Sequence, residues 1–353
     1  MTYRTPGIRK SVLSLALLFA FAPLGLARAE TLDQLYEKAK AEGALSIYTG
    51  AGPAAARANG DAFEKRFPGI KVDAHGGFSN VLNADIDKQI NDKKITADYV
   101  QFQTIGDYPR WDKMGVLLHW KPEGFDQVLP AMKDKNGAWV ALNFNPLLYG
   151  YNPDKVKEAD VPKSALDFLK PQFKGQLVTA YPADDDATLY DFVLIEQKYG
   201  LDYMKKYLAN GGFFVQGHRD VALRVRTGDK PLSFDMTNGS QTSGPNGNLK
   251  IVMSEKDKTP VFFTAGGIFK NAPHPNAAKL YLSWQLSKEV QGKNPVIYSP
   301  RKDVATPPGM PPITSAKFAN NYAGFTRDAE KIEALRRRYL SMTGPVVNFS
   351  TVP

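Results

Sequence analysis

Two groups of residues in this sequence have the types and spacing to do chemistry: the acidic triplet Asp184-Asp185-Asp186 and the pair His218-Arg219 that follows Gly217. At a helix start, an imidazole, a guanidinium fork and exposed backbone N–H groups suit a carboxylate or phosphate. Arg219 could equally pair with Asp220 or solvent. The triplet follows an expected strand and precedes an expected helix, where a carboxylate caps the helix and is favoured by its dipole. Facing a cleft instead, it would favour a cationic or hydroxyl-rich ligand. A third candidate, Gly50-Ala51-Gly52-Pro53-Ala54-Ala55, fits the G-x-G-x-x-A pattern of a dinucleotide loop, with Asp73 near the position of a ribose-binding acid. Pro53 weakens that reading, because it removes a backbone N–H from the turn that should cradle pyrophosphate. The turn Tyr48-Thr49-Gly50 serves equally well as a ligand-facing loop.

Other chemistries are poorly served. The chain has no Cys, which excludes a thiol nucleophile, a disulfide framework and Cys-based zinc sites. His75, His119, His218 and His274 are too dispersed for a helical metal motif, and neither a G-x-S-x-G elbow nor a Walker-type phosphate loop occurs. His274, between Pro273 and Pro275, reads as a turn or capping residue.

The elements that must position these residues follow an α/β grammar. Thr31 and Gln34 form a capping box for a helix with Leu32, Leu35, Tyr36 and Ala39 on one stripe, ending at Gly43. Strands are expected at 44–48, 70–74 and 97–103, with helices at 54–67 and 80–94, the second capped by Ser79. Such alternation implies a parallel sheet with right-handed crossovers. After an extended segment at 139–151 the pattern repeats, with strands at 176–181, 213–216 and 232–236 and helices at 187–199, 201–209 and 218–226. A polar loop at 237–248, another extended segment at 260–269 and helices at 277–290 and 327–342 complete the chain. Two extended crossings, at 142–151 and 251–263, would leave a two-strand hinge between two lobes. The expected division is residues 30–145 in the first lobe, 146–257 in the second, and 258–353, with the C-terminal helices, in the first again.

Residues 1–29 have the layout of a cleavable signal peptide. Arg4, Arg9 and Lys10 precede an apolar run from Val12 to Leu26, and Ala27-Arg28-Ala29 supplies an A-x-A exit. The formal charge of +9 includes four basic and no acidic residues in that leader, so about +5 is left for the remainder. A balance that small gives no reason to expect nucleic acid as a partner. No later stretch is apolar for long enough to span a bilayer.

The segment Gly266-Gly267-Ile268-Phe269-Lys270-Asn271-Ala272-Pro273-His274-Pro275-Asn276-Ala277-Ala278-Lys279-Leu280, continued by Trp284 to Gln291, resembles periplasmic solute-binding proteins of ABC importers. So do Ala62 to Val72, Leu148 to Asn152 and Ser299 to Val304. The subgroup is the one that includes ferric-iron, polyamine, thiamine and phosphonate or sugar-phosphate binders. The resemblance implies a type 2 two-lobed clamshell, each lobe a mixed, mostly parallel sheet flanked by helices. It also implies a monomer in the periplasm, an ABC permease in the inner membrane as partner, no catalysis and no cofactor. Tyr48, Thr49, Ser79 and Gln103 would form one wall of the cleft, and Asp185, His218, Arg219 and Asp235 the other. The helix-start donors favour an organic anion such as a phosphonate, sugar phosphate or carboxylate. Ferric binders of this family commonly use adjacent tyrosines. This chain has 16 Tyr but no Tyr-Tyr pair, so Tyr48, Tyr181 or Tyr203 would have to be recruited singly, and no metal site is assigned. The alternative of another class is a secreted α/β enzyme built around the Gly50 loop, which would need convergent titratable groups in one pocket.

Overall fold

The computed structural model describes residues 1–3, 30–241 and 248–350; nearly all of the expected leader and the middle of the polar loop lie outside the described residues. The first helix among the described residues, Leu32–Glu42, begins with the Thr31–Gln34 capping box and ends at Gly43, whose left-handed φ of 70° favours glycine. Its buried Leu35 and Ala39 belong to the same core as helix Pro275–Leu286. Strand Ala44–Thr49 alternates half-buried and buried positions and is an interior strand of a five-stranded sheet. The sheet order is Lys71–Gly76, Ala44–Thr49, Tyr99–Phe102, Ala265–Ile268, Val140–Ala141. The first three strands are parallel and the last two run antiparallel to their neighbours. Phe63 packs its ring 5.1 Å from Tyr281 and 5.5 Å from Trp284, joining the helix over the sheet to the helix at 275–286.

A second core repeats this order. Strands Val178–Ala180 and Phe213–Val215 are parallel, and a parallel bridge from Leu177 to Leu232 joins them to Leu232–Met236. Leu148–Tyr151 and Lys250–Val252 complete the series in antiparallel fashion. Phe168, Phe192 and Tyr207 pack around Phe234 at ring separations of 5.2–5.5 Å.

The two crossings run antiparallel, pairing Pro146 with Val261 and Asn145 with Phe262. Leu147 N–H donates to the Pro260 carbonyl at 2.8 Å, and Leu142 N–H to that of Thr264 at 3.0 Å. A third passage was not anticipated. Phe318–Ala319 pairs in parallel with Thr259–Pro260, after which the chain passes to the second core. Helix Ala329–Thr343, expected with the first lobe, buries Ile332 and Tyr339 in the second. Its apolar stripe required an apolar partner surface but did not specify which one. The partner is fixed by Glu196, only 3% exposed, which accepts from Arg338 at 2.6 and 2.9 Å and from the Tyr339 hydroxyl at 2.7 Å.

Two smaller corrections concern helix ends. Ser79 is the first residue of helix Ser79–Asn91 and not its cap, which is Phe78; the Ser79 hydroxyl instead accepts from Gln103 N–H at 3.0 Å. The helix expected at 277–290 starts at Pro275 and breaks at Ser287, whose side chain caps the short helix Lys288–Gln291.

Candidate functional site

In both lobes the parallel strands point their carboxyl ends at one cleft of about 550 Å³, the place where open α/β sheets collect ligands. The first lobe contributes Gly50 and Gly52 after strand Ala44–Thr49, Gly76 to Phe78 after Lys71–Gly76, and Gln103 after Tyr99–Phe102. From the second come Asp185, Gln216 to Arg219 and Thr237. Asn145, Phe262 and Thr264 line it from the crossings, and Ser350 from the C-terminal segment. Two glycines are required by space: a Cβ on Gly76 would lie 2.8 Å from the Ala51 carbonyl, Pro53 and Ala56, and one on Gly217 would lie 3.0 Å from the Phe78 ring. Gly217 also has a φ of +76°.

Four helices start at this cleft. Pro53–Arg66, Ser79–Asn91 and Gly217–Thr227 have N-caps Gly52, Phe78 and Gln216, none of which makes a side-chain capping bond. Their first N–H groups therefore lack the usual side-chain acceptor and carry the positive end of the helix dipole. The fourth, Asp186–Tyr199, is capped by Asp185, which accepts from Ala187 N–H at 2.8 Å and Thr188 N–H at 3.1 Å.

Asp185 has two further partners. Gln103 Nε2 donates to it from the opposite lobe at 3.0 Å, and His218 Nε2 lies 3.3 Å away. On its other side, His218 Nδ1 lies 3.1 Å from Asp235, a fully buried carboxylate that accepts from Ala180 N–H and the Thr188 hydroxyl. Neither ring nitrogen of His218 is aligned for a hydrogen bond, so the attraction is coulombic. Burial opposes charge on the imidazole, but the carboxylates of Asp235 and Asp185 outweigh it and hold the His218 pKa well above the usual histidine value. Burial likewise works to raise the Asp185 pKa, and His218 with the two capping N–H groups brings it below the usual carboxylate range. The ring stacks on Phe262 of the second crossing, with centroids 5.4 Å apart.

Gln103, Asp185, His218 and Arg219 thus meet at one cleft. Of the other four residues of the expected walls, Ser79 stands beside this cleft, and Tyr48, Thr49 and Asp235 do not line it. Ser79 lines a small adjoining cavity with the acidic triplet. Tyr48 stacks on His75 at 4.2 Å, and buried Thr49 accepts from Ala51 N–H within its own turn. Asp235 sits behind His218, out of reach of a solute. Within the triplet, Asp186 is bound by Arg336 at 2.6 Å, and Asp184 accepts from Asn80 across the lobes at 3.0 Å. Asp73 is exposed and pairs with His75 at 2.8 Å, away from the glycine loop it was expected to complete. His274 holds its turn, donating its backbone N–H to buried Asp98 at 2.6 Å.

Sequence reasoning missed Gly76 to Phe78, Asn145, Gln216, Phe262, Thr264 and Ser350. The glycine pair ahead of a helix was a usable signal. Ser350 had none, because its position depends on the last segment returning to the second lobe. There, Gln216 N–H donates to the Asn348 carbonyl at 2.9 Å, Asn348 Nδ2 to that of Phe214 at 2.8 Å, and the Ser350 hydroxyl to Asp220 at 2.6 Å.

Two lobes of matching topology, joined by crossings and enclosing a polar cleft, define the class of two-lobed periplasmic binding proteins. Residues 58–316 match the family model of bacterial extracellular solute-binding proteins, and the chain belongs to that family. Among curated relatives, the Fe(3+)-binding periplasmic protein of Serratia marcescens is 25% identical over 175 residues, 47% of this chain and 51% of that protein. A probable ABC transporter periplasmic-binding protein of Sinorhizobium fredii is 21% identical over 189 residues, 50% of this chain and 52% of that one. The chain spans about half the length of these curated relatives. Solved structures share the fold more fully. Iron-bound HitA from Pseudomonas aeruginosa has a TM-score of 0.68 at 20% identity, covering 84% of this chain and 99% of its own. AfuA from Actinobacillus pleuropneumoniae, with exogenous fructose-6-phosphate bound, has a TM-score of 0.69 at 19% identity, covering 84% and 97%.

Proposed function

We propose that this protein is the periplasmic solute receptor of an ABC importer, that it captures a small hydroxylated anion such as a sugar phosphate between its lobes, and that it delivers this solute to an inner-membrane permease. The observation that carries the ligand class is the convergence of three helix starts without side-chain caps on one cleft beside Arg219. The carboxylates nearby are engaged within the walls: Asp185 and Asp235 with His218, and Asp186 with Arg336. What faces a solute is therefore backbone N–H groups, a guanidinium, amides and hydroxyls. The Thr264 hydroxyl accepts from Asn143 and Gln101, which leaves its proton to donate to a ligand. Fructose-6-phosphate in AfuA is a solute of this class. Iron is less well supported, since the described residues lining this cleft include no tyrosine.

No bond is made or broken in this mechanism. The solute must touch both lobes, because only differential affinity for the closed form shifts the opening equilibrium. The division into residues 30–145, 146–257 and 258–328, with the last helix joined to the second lobe, follows the two cores and is part of the same proposal. A thermal-shift panel of fructose 6-phosphate, a phosphonate, citrate, spermidine and ferric iron tests it. A hundredfold excess over Kd stabilises by about 2.7 kcal/mol, a rise of several degrees in Tm. The expected result is a rise with the phosphorylated sugar or another of the anions; a response to ferric iron alone, or to spermidine alone that Arg219→Ala abolishes, contradicts the ligand class.

A further inference from the structure

A second cavity, of about 440 Å³, shares no lining residue with the solute cleft and has the volume of a small-molecule site. All three passages between the lobes line it: Leu147 and Tyr149 from the first, Pro260 from the second and Ala319 from the third, with Leu194 and Ile195 of helix Asp186–Tyr199 on the facing side. Two carboxyl groups reach it, in opposite states of satisfaction. Asp257 accepts from the Tyr149 hydroxyl at 2.8 Å, Ala165 N–H at 2.7 Å, Lys198 at 2.6 Å and the Tyr199 hydroxyl at 2.5 Å. Asp191 is only 4% exposed, and its Oδ2 has no hydrogen-bond partner among the described residues. Natural proteins rarely leave a buried polar atom without a partner, and Asp191 is also a residue that lines the cavity, where a donor could reach its carboxyl group.

We propose that this cavity is a second ligand site and that it takes a small organic amine, its ammonium against Asp191 and its apolar body against Leu194, Ile195 and Pro260. An ammonium supplies the donors that Asp191 lacks and makes a charge-assisted hydrogen bond in a site of low dielectric. Burial, with Asp235 and Asp257 nearby, raises the Asp191 pKa well above the usual carboxylate range, and a cation seated against it works in the opposite direction. Lys198 is neutralised by Asp257, while Lys256 and Lys258 are exposed at the rim, where water and salt screen them. Because the cavity is walled by all three passages, an amine seated there acts on the hinge and not on the solute.

Calorimetric titration of the full chain with 3-methylbutylamine, and separately with 3-methylbutanoate, tests the assignment. Saturable binding of the amine is expected, weakened at least tenfold by the near-isosteric Asp191→Asn and unchanged by the cleft variant Arg219→Ala. Leu194→Trp, which fills the cavity and leaves Asp191 in place, is expected to abolish binding and gives an independent answer should Asp191→Asn fail to fold. No saturable amine binding, equal or tighter binding of the carboxylate, or amine binding unaffected by these two cavity variants would overturn the proposal. A spermidine response that survives Arg219→Ala and is lost in Leu194→Trp belongs to this cavity and not to the solute cleft, so either result can fail while the other holds.

Discussion

His218 does two things at once: it lines the cleft, and it holds two carboxylates together within the wall. Removing its charge leaves Asp185 and Asp235 without their shared cation, and breaking a buried ion pair from one side costs about 3–5 kcal/mol. His218→Gln should therefore lose stability of that order in urea unfolding at pH 6. The sign of the pH dependence follows from its raised folded-state pKa. The stabilisation is fully present below the unfolded histidine value near 6.5 and is lost as pH rises through the folded value. The gap between wild type and His218→Gln should thus narrow from pH 6 toward alkaline pH, and a gap that widens instead would refute this role. At this scale the sequence was informative wherever a local rule applied. Gly217-His218-Arg219 announced a helix start, and Asp185 announced a cap. It could not indicate that Asp235 lies behind His218, or that Tyr48 turns to His75, because both depend on neighbours brought in by the sheet.

At the scale of elements, the apolar periodicities, Thr31 and Gly43 defined the helices and buried strands of both lobes closely, since local propensity and burial agree there. The exceptions are elements set by long-range contact. The two-residue strand Asn145–Pro146 exists only through its pairing with Thr259–Phe262, and the final helix belongs with the second core because Glu196 is there. The chain beyond that helix has a functional consequence. Residues 346–350 run beside Phe213–Val215 and bring Ser350 to the cleft, bonding to Gln216 and Asp220 at the helix start that presents His218 and Arg219. Ending the chain after Gly344 removes these bonds and the packing of Val346 on the second core, while leaving every fully buried core residue in place. Solute affinity should fall roughly tenfold or more, consistent with losing one or two hydrogen bonds that position the site, each worth about 1 kcal/mol. Far-UV circular dichroism should be unchanged. Unaltered affinity in that truncation would remove the C-terminal segment from the binding site.

For the whole molecule, the repeated sheet order matters more than any single contact. Each lobe presents the carboxyl ends of three parallel strands, and the crossings set those two edges face to face. Among the described residues, Gln103 to Asp185 and Asn80 to Asp184 are polar links that span the gap between them. Both are partly solvated, which suits the opening and closing that the proposed receptor role requires. The chain contains no Cys, so Val81→Cys on the first lobe and Leu340→Cys on the helix seated against the second provide two unique labelling sites, both exposed. The most direct test is the distance distribution between spin labels at these positions, with and without the solute that the thermal panel selects. Gripping by both lobes predicts a shorter and narrower distribution when the solute is bound; an unchanged distribution at saturating solute would contradict it.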